Sequence, residues 1–384
     1  MSKRSPYSFE FRAGDYEIHP ETILTGARLV ANAIRTNLWG MPRLSGTAAE
    51  IARQVVAANA EGRFLIAGQG HFRYFWISDF GKSIRGLLHI LPRAYLLEQV
   101  NRFLDAAIER GRVPTCLSEE RTFDLPYARA DGLPWLVHAM DTLDPTLLRA
   151  RREPLERLTA RWIDDHFEPG RGLMRGDVRG DWMDTIRRPS STYNNLLALN
   201  LFETLARHDV GGEVVRDRAE QLARDLVDAR WTGSHFTDYE AAPDYLSADA
   251  NAPALYFGLF EPARRRKMVD AIESSGLLRP VPIRISDRIH GDLMPLFTRF
   301  TPAYHSSAWL HMGLLYVAGL KRQGGGSEVD EHLGAVENLV EREGNFVEVV
   351  DRSGFPYRTP LHTSEHGLTM AAALYVEARE AASA

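Results

Sequence analysis

Along nearly the whole chain, segments of helical periodicity come in two alternating kinds. Segments such as "TILTGARLVANAI", "YLLEQVNRFLDAAIERG", "LLRARREPLERLTARWIDDHF" and "VVRDRAEQLARDLVDARW" repeat apolar residues at three and four with charges opposite, which predicts helices with one wet face. Between them lie "GKSIRGLLHIL", "GLPWLVHAM", "NNLLALNLFETLA", "APALYFGLF", "SAWLHMGLLYVAGL" and "HGLTMAAALYVEA", apolar nearly all round, as in helices buried on most sides. A polar stretch precedes each dry segment, marked by Asp79, Asp131, Tyr193, Asp249, His305 and Glu365. By subtraction these marks stand 52, 62, 56, 56 and 60 residues apart, an architectural repeat of one helix pair per unit. Six pairs closing on themselves form a double ring with the dry helices inside. All six polar stretches then meet at one end, around a single pocket.

The competing arrangement is an open solenoid whose polar stretches only cap helices. Caps need Ser, Asp or Thr; they have no use for Trp76, Trp135, Trp182, Tyr193 and Trp309, which stand in or near these stretches. Aromatic rings beside carboxylates suit sugars, which offer apolar faces to stack on and rims of hydroxyls to hydrogen-bond. The strand-like pieces "RFLIA" and "PVPIRI" are short and isolated, and "RQGGGSE" reads as a turn between two helices. The expectation is an all-α fold in a single domain, residues 1–384, with 1–20 as an N-terminal extension.

Composition narrows the function. Over 384 residues, 44% are apolar and 25% charged, enough for a sizeable buried core. The net charge is −5 and the arginines are scattered, so neither nucleic acid nor a membrane surface is an expected partner. Cys116 is the lone cysteine, which excludes an internal disulfide and a thiolate metal cluster. The polar start "MSKRSPYSFEF" lacks the apolar stretch of a signal peptide, and a cytoplasmic location is expected. His71, His89, His138, His166, His235 and His311 show no metal-ligand spacing, and the glycines at 324–326 lack the strand and lysine of a phosphate loop. No metal and no cofactor is expected.

Four motifs carry a resemblance. "GDWMDT" is similar to the tryptophan-methionine-acid motif of the glucosidase domain of glycogen-debranching enzymes. "FWISDFGKS" resembles the aromatic–x–Arg–Asp segment of glucoamylases and neutral invertases, and "AYHSSAWLHMG" their "H-N-G-x-x-W-P" segment. "FVEVVDRSGFP" followed by "HGLTMAAALY" resembles their C-terminal pattern. All four occur in the family's order, between about residues 70 and 380. The resemblance implies a six-hairpin glycosidase, an (α/α)6 barrel that hydrolyses with inversion. The chain departs from the pattern at Ser78, where relatives carry Arg, at Ser306-Ser307 in place of Asn-Gly, and at Glu365-His366. These departures leave open a substrate other than starch, sucrose or trehalose.

Inverting hydrolysis needs a protonated carboxyl on the leaving oxygen and an ionised one activating water, roughly 6.5 to 9.5 Å apart. Asp184, beside Trp182 and Met183, is the expected general acid; its alternative is a cap or an ion pair with Arg187 or Arg188. Asp181 is its rival, read as a supporting or substrate-hydroxyl contact. Glu348, aligned by the C-terminal resemblance, is the expected general base, with Glu365 as competitor. Asp79 is expected to hold two sugar hydroxyls, with Trp76 against the ring; its alternative is an N-cap, because "SDFGKS" opens a helix. Tyr193, Asn194 and Asn195 line the site or merely cap a helix. His305 and Trp309 stand one helical turn apart, which on a helix gives them one face toward the pocket; the alternative for His305 is a buried structural histidine. The expected activity is exo-acting hydrolysis of a small soluble α-glucoside or related glycoside. The alternatives are a sugar epimerase or isomerase moving protons through His305 and His366, and a non-catalytic sugar-binding barrel.

Overall fold

The computed structural model describes residues 20–119, 121–125, 129–178, 180–183, 188–242, 245–286 and 301–380. A first helix, α1 (Pro20–Trp39), stands before the repeat. Six hairpins follow, each an outer helix leading to an inner one: α2 (Ala48–Asn59) to α3 (Ile77–Leu87), then α4 (Arg93–Arg110) to α5 (Gly132–Leu143). The third runs through short α6 (Thr146–Ala150) and α7 (Arg152–His166) to α8 (Thr192–Arg207), and the fourth from α9 (Gly212–Arg230) to α10 (Ala248–Phe257). The fifth goes from α11 (Pro262–Ser274) by way of short α12 (Pro302–His305) to α13 (Leu310–Arg322). The sixth goes from α14 (Ser327–Glu343) to α15 (Thr369–Glu380).

The ring closes. Helix α3 packs on α5, α5 on α8, α8 on α10, α10 on α13, α13 on α15, and α15 back on α3. These are the six dry segments, and residues 310–320 of α13 and 369–378 of α15 are buried without interruption. The outer helices bury one stripe only; α9, for example, hides Val215, Ala219, Leu222 and Leu226 and leaves most of its charges in water. Where the sequence predicts one helix over 147–167, the chain breaks at Arg151. The break puts Pro154 in the first turn of α7, where its missing N–H has no intrahelical partner to lose.

The strand pieces also lie elsewhere than expected. Strands β1 (Phe75–Trp76), β2 (Cys116–Leu117) and β3 (Thr122–Phe123) pair antiparallel, and β4 (Ala308–Trp309) pairs with β5 (Val349–Val350). "RFLIA" forms no strand, and Arg284 of "PVPIRI" makes only an isolated bridge. β1 runs straight into α3 and β4 into α13, so Trp76 and Trp309 occupy the N-cap positions of two inner helices at one end of the ring. His305 and Trp309 therefore share no helix: β4 draws Trp309 into extended backbone beside β5. Their rings still lie 6.0 Å apart.

Ring closure brings backbones together. A methyl group added at Gly86 of α3 would lie 1.8 Å from the carbonyl oxygen of Ala373 on α15, which cannot rotate away. Gly→Ala in an exposed helix interior ordinarily stabilises by about 0.4–1 kcal/mol. Gly86→Ala is expected to reverse that sign and cost about 3 kcal/mol or more, because the two inner helices must separate. Gly334 on outer α14 has open space around it, so Gly334→Ala is expected to stabilise. Urea unfolding midpoints of both variants check the contrast; equal, small effects would mean that α3 and α15 are not held this close.

Candidate active site

At the end of the ring where β1 and β4 enter the inner helices, a cavity of about 200 Å³ opens. Five of its walls are aromatic: Phe72, Trp76, Trp182, Tyr304 and Trp309. Trp182 meets Trp309 edge-on at 4.9 Å, and Tyr304 meets Trp309 likewise at 4.9 Å. Between these rings the cavity is lined by two carboxylates, Asp79 and Glu348, two cations, Lys82 and Arg129, and three histidines, His305, His311 and His362. Thus Asp79, Trp76, Trp182, His305, Trp309 and Glu348, far apart in sequence, meet around one space. Asp184 lies outside the described residues; Met183, next to it, lines the cavity.

Glu348 immediately precedes β5, and its backbone is pinned on both sides. Its N–H donates to Glu365 O and its carbonyl accepts from Leu310 N, both at 3.0 Å. Its Oε2 accepts from the Tyr304 hydroxyl at 2.8 Å. Burial pushes this carboxyl up, the nearby His71 and the Tyr304 hydroxyl hold it back in part, and the outcome is about 7. Asp79, in the first turn of α3, is also pushed up by burial and opposed by Lys82 and Arg129.

The other expected carboxylate behaves differently. Glu365 is wholly buried, is not part of the cavity wall, and accepts from the backbone N–H groups of Gly70, His71 and Phe72. His71 Nδ1 lies 2.8 Å from its Oε2. Burial alone would raise this carboxyl, but His71, His366 and the backbone donors outweigh it and hold it at about 2. The pair works both ways: burial disfavours a charged His71, yet Glu365 raises it above its ordinary value. Glu365 is thus an ionised anchor tying the mouth of α15 to the loop before β1.

Asp181 also turns away from the cavity. Arg188 donates from Nε to Asp181 at 2.8 Å, and from Nη1 to Asp238 at 2.8 Å and Asp249 at 2.6 Å. Asp249 accepts in addition from Trp182 Nε1 at 2.9 Å. Asp181 further accepts from Met183 N at 2.7 Å, so residues on both sides of 184–187 are gripped by one buried ionic cluster. Asp131 similarly takes a bidentate bond from Arg129. Tyr193 is fully buried and its hydroxyl accepts from Trp135 Nε1 at 3.2 Å. Asn194 donates its backbone N–H to Ser191 Oγ, the N-cap of α8, and Asn195 bonds the backbone of Met174, Ser190 and Ser191. None of Asp131, Tyr193, Asn194 and Asn195 lines the cavity. Lys82, Arg129, Tyr304, His311 and His362, which do, escaped sequence reasoning. Lys82 carried a signal, as a charge one turn after Asp79 within a dry segment, and Tyr304 and His311 lie inside the motif "AYHSSAWLHMG".

Because its carboxyl is depressed well below 4.5, Glu365 stabilises the fold fully above that pH, and the contribution is lost as pH falls toward 2. Glu365→Gln is expected to cost about 3 kcal/mol near pH 7 by taking the carboxylate away from three buried backbone N–H groups and from His71. Unfolding measured from pH 5 down to pH 3 should show the gap between variant and parent narrowing; a constant gap would assign the loss to packing.

No family model and no curated protein matches the sequence. Solved structures do match the fold. The mannosylglycerate hydrolase of Thermus thermophilus, of glycoside hydrolase family 63, solved with Tris and D-glycerate, is 14% identical with a TM-score of 0.60, over 86% of this chain and 99% of that one. A wild-type glycosidase is 14% identical with a TM-score of 0.61, over 92% and 97%. A rhamnosidase from Klebsiella oxytoca with rhamnose bound is 13% identical with a TM-score of 0.60, over 87% and 64%. The fold of this chain is the all-α (α/α)6 toroid, in common with these structures.

Proposed function

We propose that this protein is an inverting, exo-acting glycoside hydrolase whose substrate is a small soluble α-glucoside or related glycoside. The observation that carries the reading is Glu348: a buried carboxyl facing an aromatic cavity, oriented by Tyr304 and poised near neutrality. A general base works best when its pKa lies near the operating pH. The walls add ring nitrogens with no partner among the described residues, the donors Trp76 Nε1 and Trp309 Nε1 and also His311 Nδ1, which hydroxyls of a sugar would satisfy. A cavity of about 200 Å³ is small beside the roughly 300–1,000 Å³ of drug-sized pockets, which favours a short substrate over a polymer.

In this reading Glu348 takes a proton from water as the water attacks the anomeric carbon. Asp184 gives its proton to the departing oxygen, and the anomeric configuration inverts. Asp79 accepts from hydroxyls of the reacting ring and Trp76 covers its face. Glu365 supports the base through His71 and does no proton transfer. The epimerase alternative places His305 and His366 as the proton carriers; only His305 lines the cavity. Incubation of sugars in heavy water separates the two, since an epimerase exchanges a ring-carbon hydrogen and a hydrolase does not.

Hydrolysis is tested with a panel of α- and β-linked disaccharides and sugar glycerates, read by proton NMR before mutarotation. The first product should carry the anomeric configuration opposite to the substrate's, and retention would make one carboxyl a nucleophile. Asp184→Asn should slow substrates with poor leaving groups by about 10² to 10⁴ more than activated aryl or fluoride ones. Glu348→Gln should slow both kinds alike.

The pH profile tests the base directly. The acid limb of kcat/KM should fall near pH 7, where Glu348 takes up its proton. Tyr304→Phe removes a hydrogen bond to the ionised form, so that limb should move up by about one pH unit. An acid limb that ignores Tyr304→Phe would mean that another group titrates.

A further inference from the structure

Of 46 basic residues in the chain only four are lysines: Lys3, Lys82, Lys267 and Lys321; the other 42 are arginines. One of the four stands on the floor of the cavity. Lys82 is 1% exposed, yet its Nζ makes no ion pair and no hydrogen bond to any described residue. It meets ring faces instead, those of Trp135 and Tyr193, each with its centroid 5.9 Å away. A buried ammonium without acceptors is costly.

The carboxylates around it are already matched. Asp131 is bound by Arg129 in two parallel bonds, and Asp181 by Arg188. Asp79, one turn before Lys82 on the same face of α3, forms no ion pair with a described residue either; its one side-chain donor among them is Ser78 Oγ at 3.4 Å. So the cavity floor holds one acceptor and one donor of opposite charge, side by side and not bonded to each other. A hydroxyl group fits such a gap because it donates and accepts at once. A guanidinium would present a rigid fork suited to carboxylates; an ammonium turns three donors toward whatever oxygen arrives.

We propose that Lys82 is a specificity-determining residue that donates a hydrogen bond to a hydroxyl of the bound sugar ring, paired with Asp79, which accepts from that hydroxyl or its neighbour. This rests on the glycosidase reading above. Burial pulls the amine down against the pull of Asp79 and Asp131, to about 8, so a sugar that accepts from it also holds it protonated.

The test uses the intact protein labelled with ¹³C-lysine, whose four Cε resonances are few enough to assign by substitution. D-glucose, D-mannose and D-galactose are titrated while the Lys82 resonance and the tryptophan fluorescence are followed. At least one sugar should shift both signals and move the Lys82 titration to higher pH. Lys82→Met, matched in volume, should weaken that sugar by about 10- to 100-fold with the melting curve intact. The monodeoxy analogue lacking the contacted hydroxyl should bind parent and variant equally, while the other monodeoxy analogues still tell them apart. If a sugar binds the parent and Lys82→Met binds it equally well, or the Lys82 resonance stays still, Lys82 only balances charge and the proposal fails alone. If the parent binds no sugar by either signal, the glycosidase reading fails with it. Should Lys82→Met not fold, Lys82→Gln and the parent's own NMR titration decide the matter.

Discussion

Everything in this molecule depends on the closure of the inner ring. Each inner helix touches an inner neighbour on both flanks, and most also pack on an outer helix behind, which leaves little face for water. That requirement makes the six segments apolar all round and forces glycine where backbones cross, as at Gly86 against Ala373 and Gly319 against Tyr256. It also expels polar chemistry from the helix bodies to their mouths. The site is rich because the barrel wall cannot be.

Buried charge then does the positioning. Arg188 draws Asp181, Asp238 and Asp249 together, joining the loop after α7 to the segment before α10 and to the first turn of α10 itself. Charges this deep lose much hydration, and what repays it is geometry: each carboxylate of the cluster accepts at least one further hydrogen bond, from Met183 N, Tyr245 Oη or Ser247 Oγ. Trp182 is held through Asp249, so an aromatic cavity wall is set by an ion cluster behind it. Glu365 does the same for the loop at 70–72 with three backbone donors and the His71 ring.

Against this background of matched charges, the cavity is the exception. Glu348, Asp79 and Lys82 face it with few or no partners among the described residues, and burial moves each away from its ordinary titration range. A folded protein carries such groups where something else completes them.

The repeat, the wet and dry helices and the convergence of Asp79, Trp76, His305, Trp309 and Glu348 were legible in the sequence. Periodicity and spacing are local, and a closed ring of equal units converts equal spacing into a common end. The sequence preferred Glu348 to Glu365 only through a resemblance, and Asp184 to Asp181 only through its aromatic and apolar neighbours, since nothing local says which remote groups a carboxylate meets. Tertiary structure decided what each described carboxylate meets: Glu365 meets backbone donors some 295 residues away, while Glu348 meets a cavity. Tyr193 and Asn194 were ambiguous for the same reason: the Tyr193 hydroxyl meets Trp135, and the Asn194 backbone N–H takes the Ser191 cap of α8. A side chain's role depends on its partners, and partners brought together by a ring are remote in sequence.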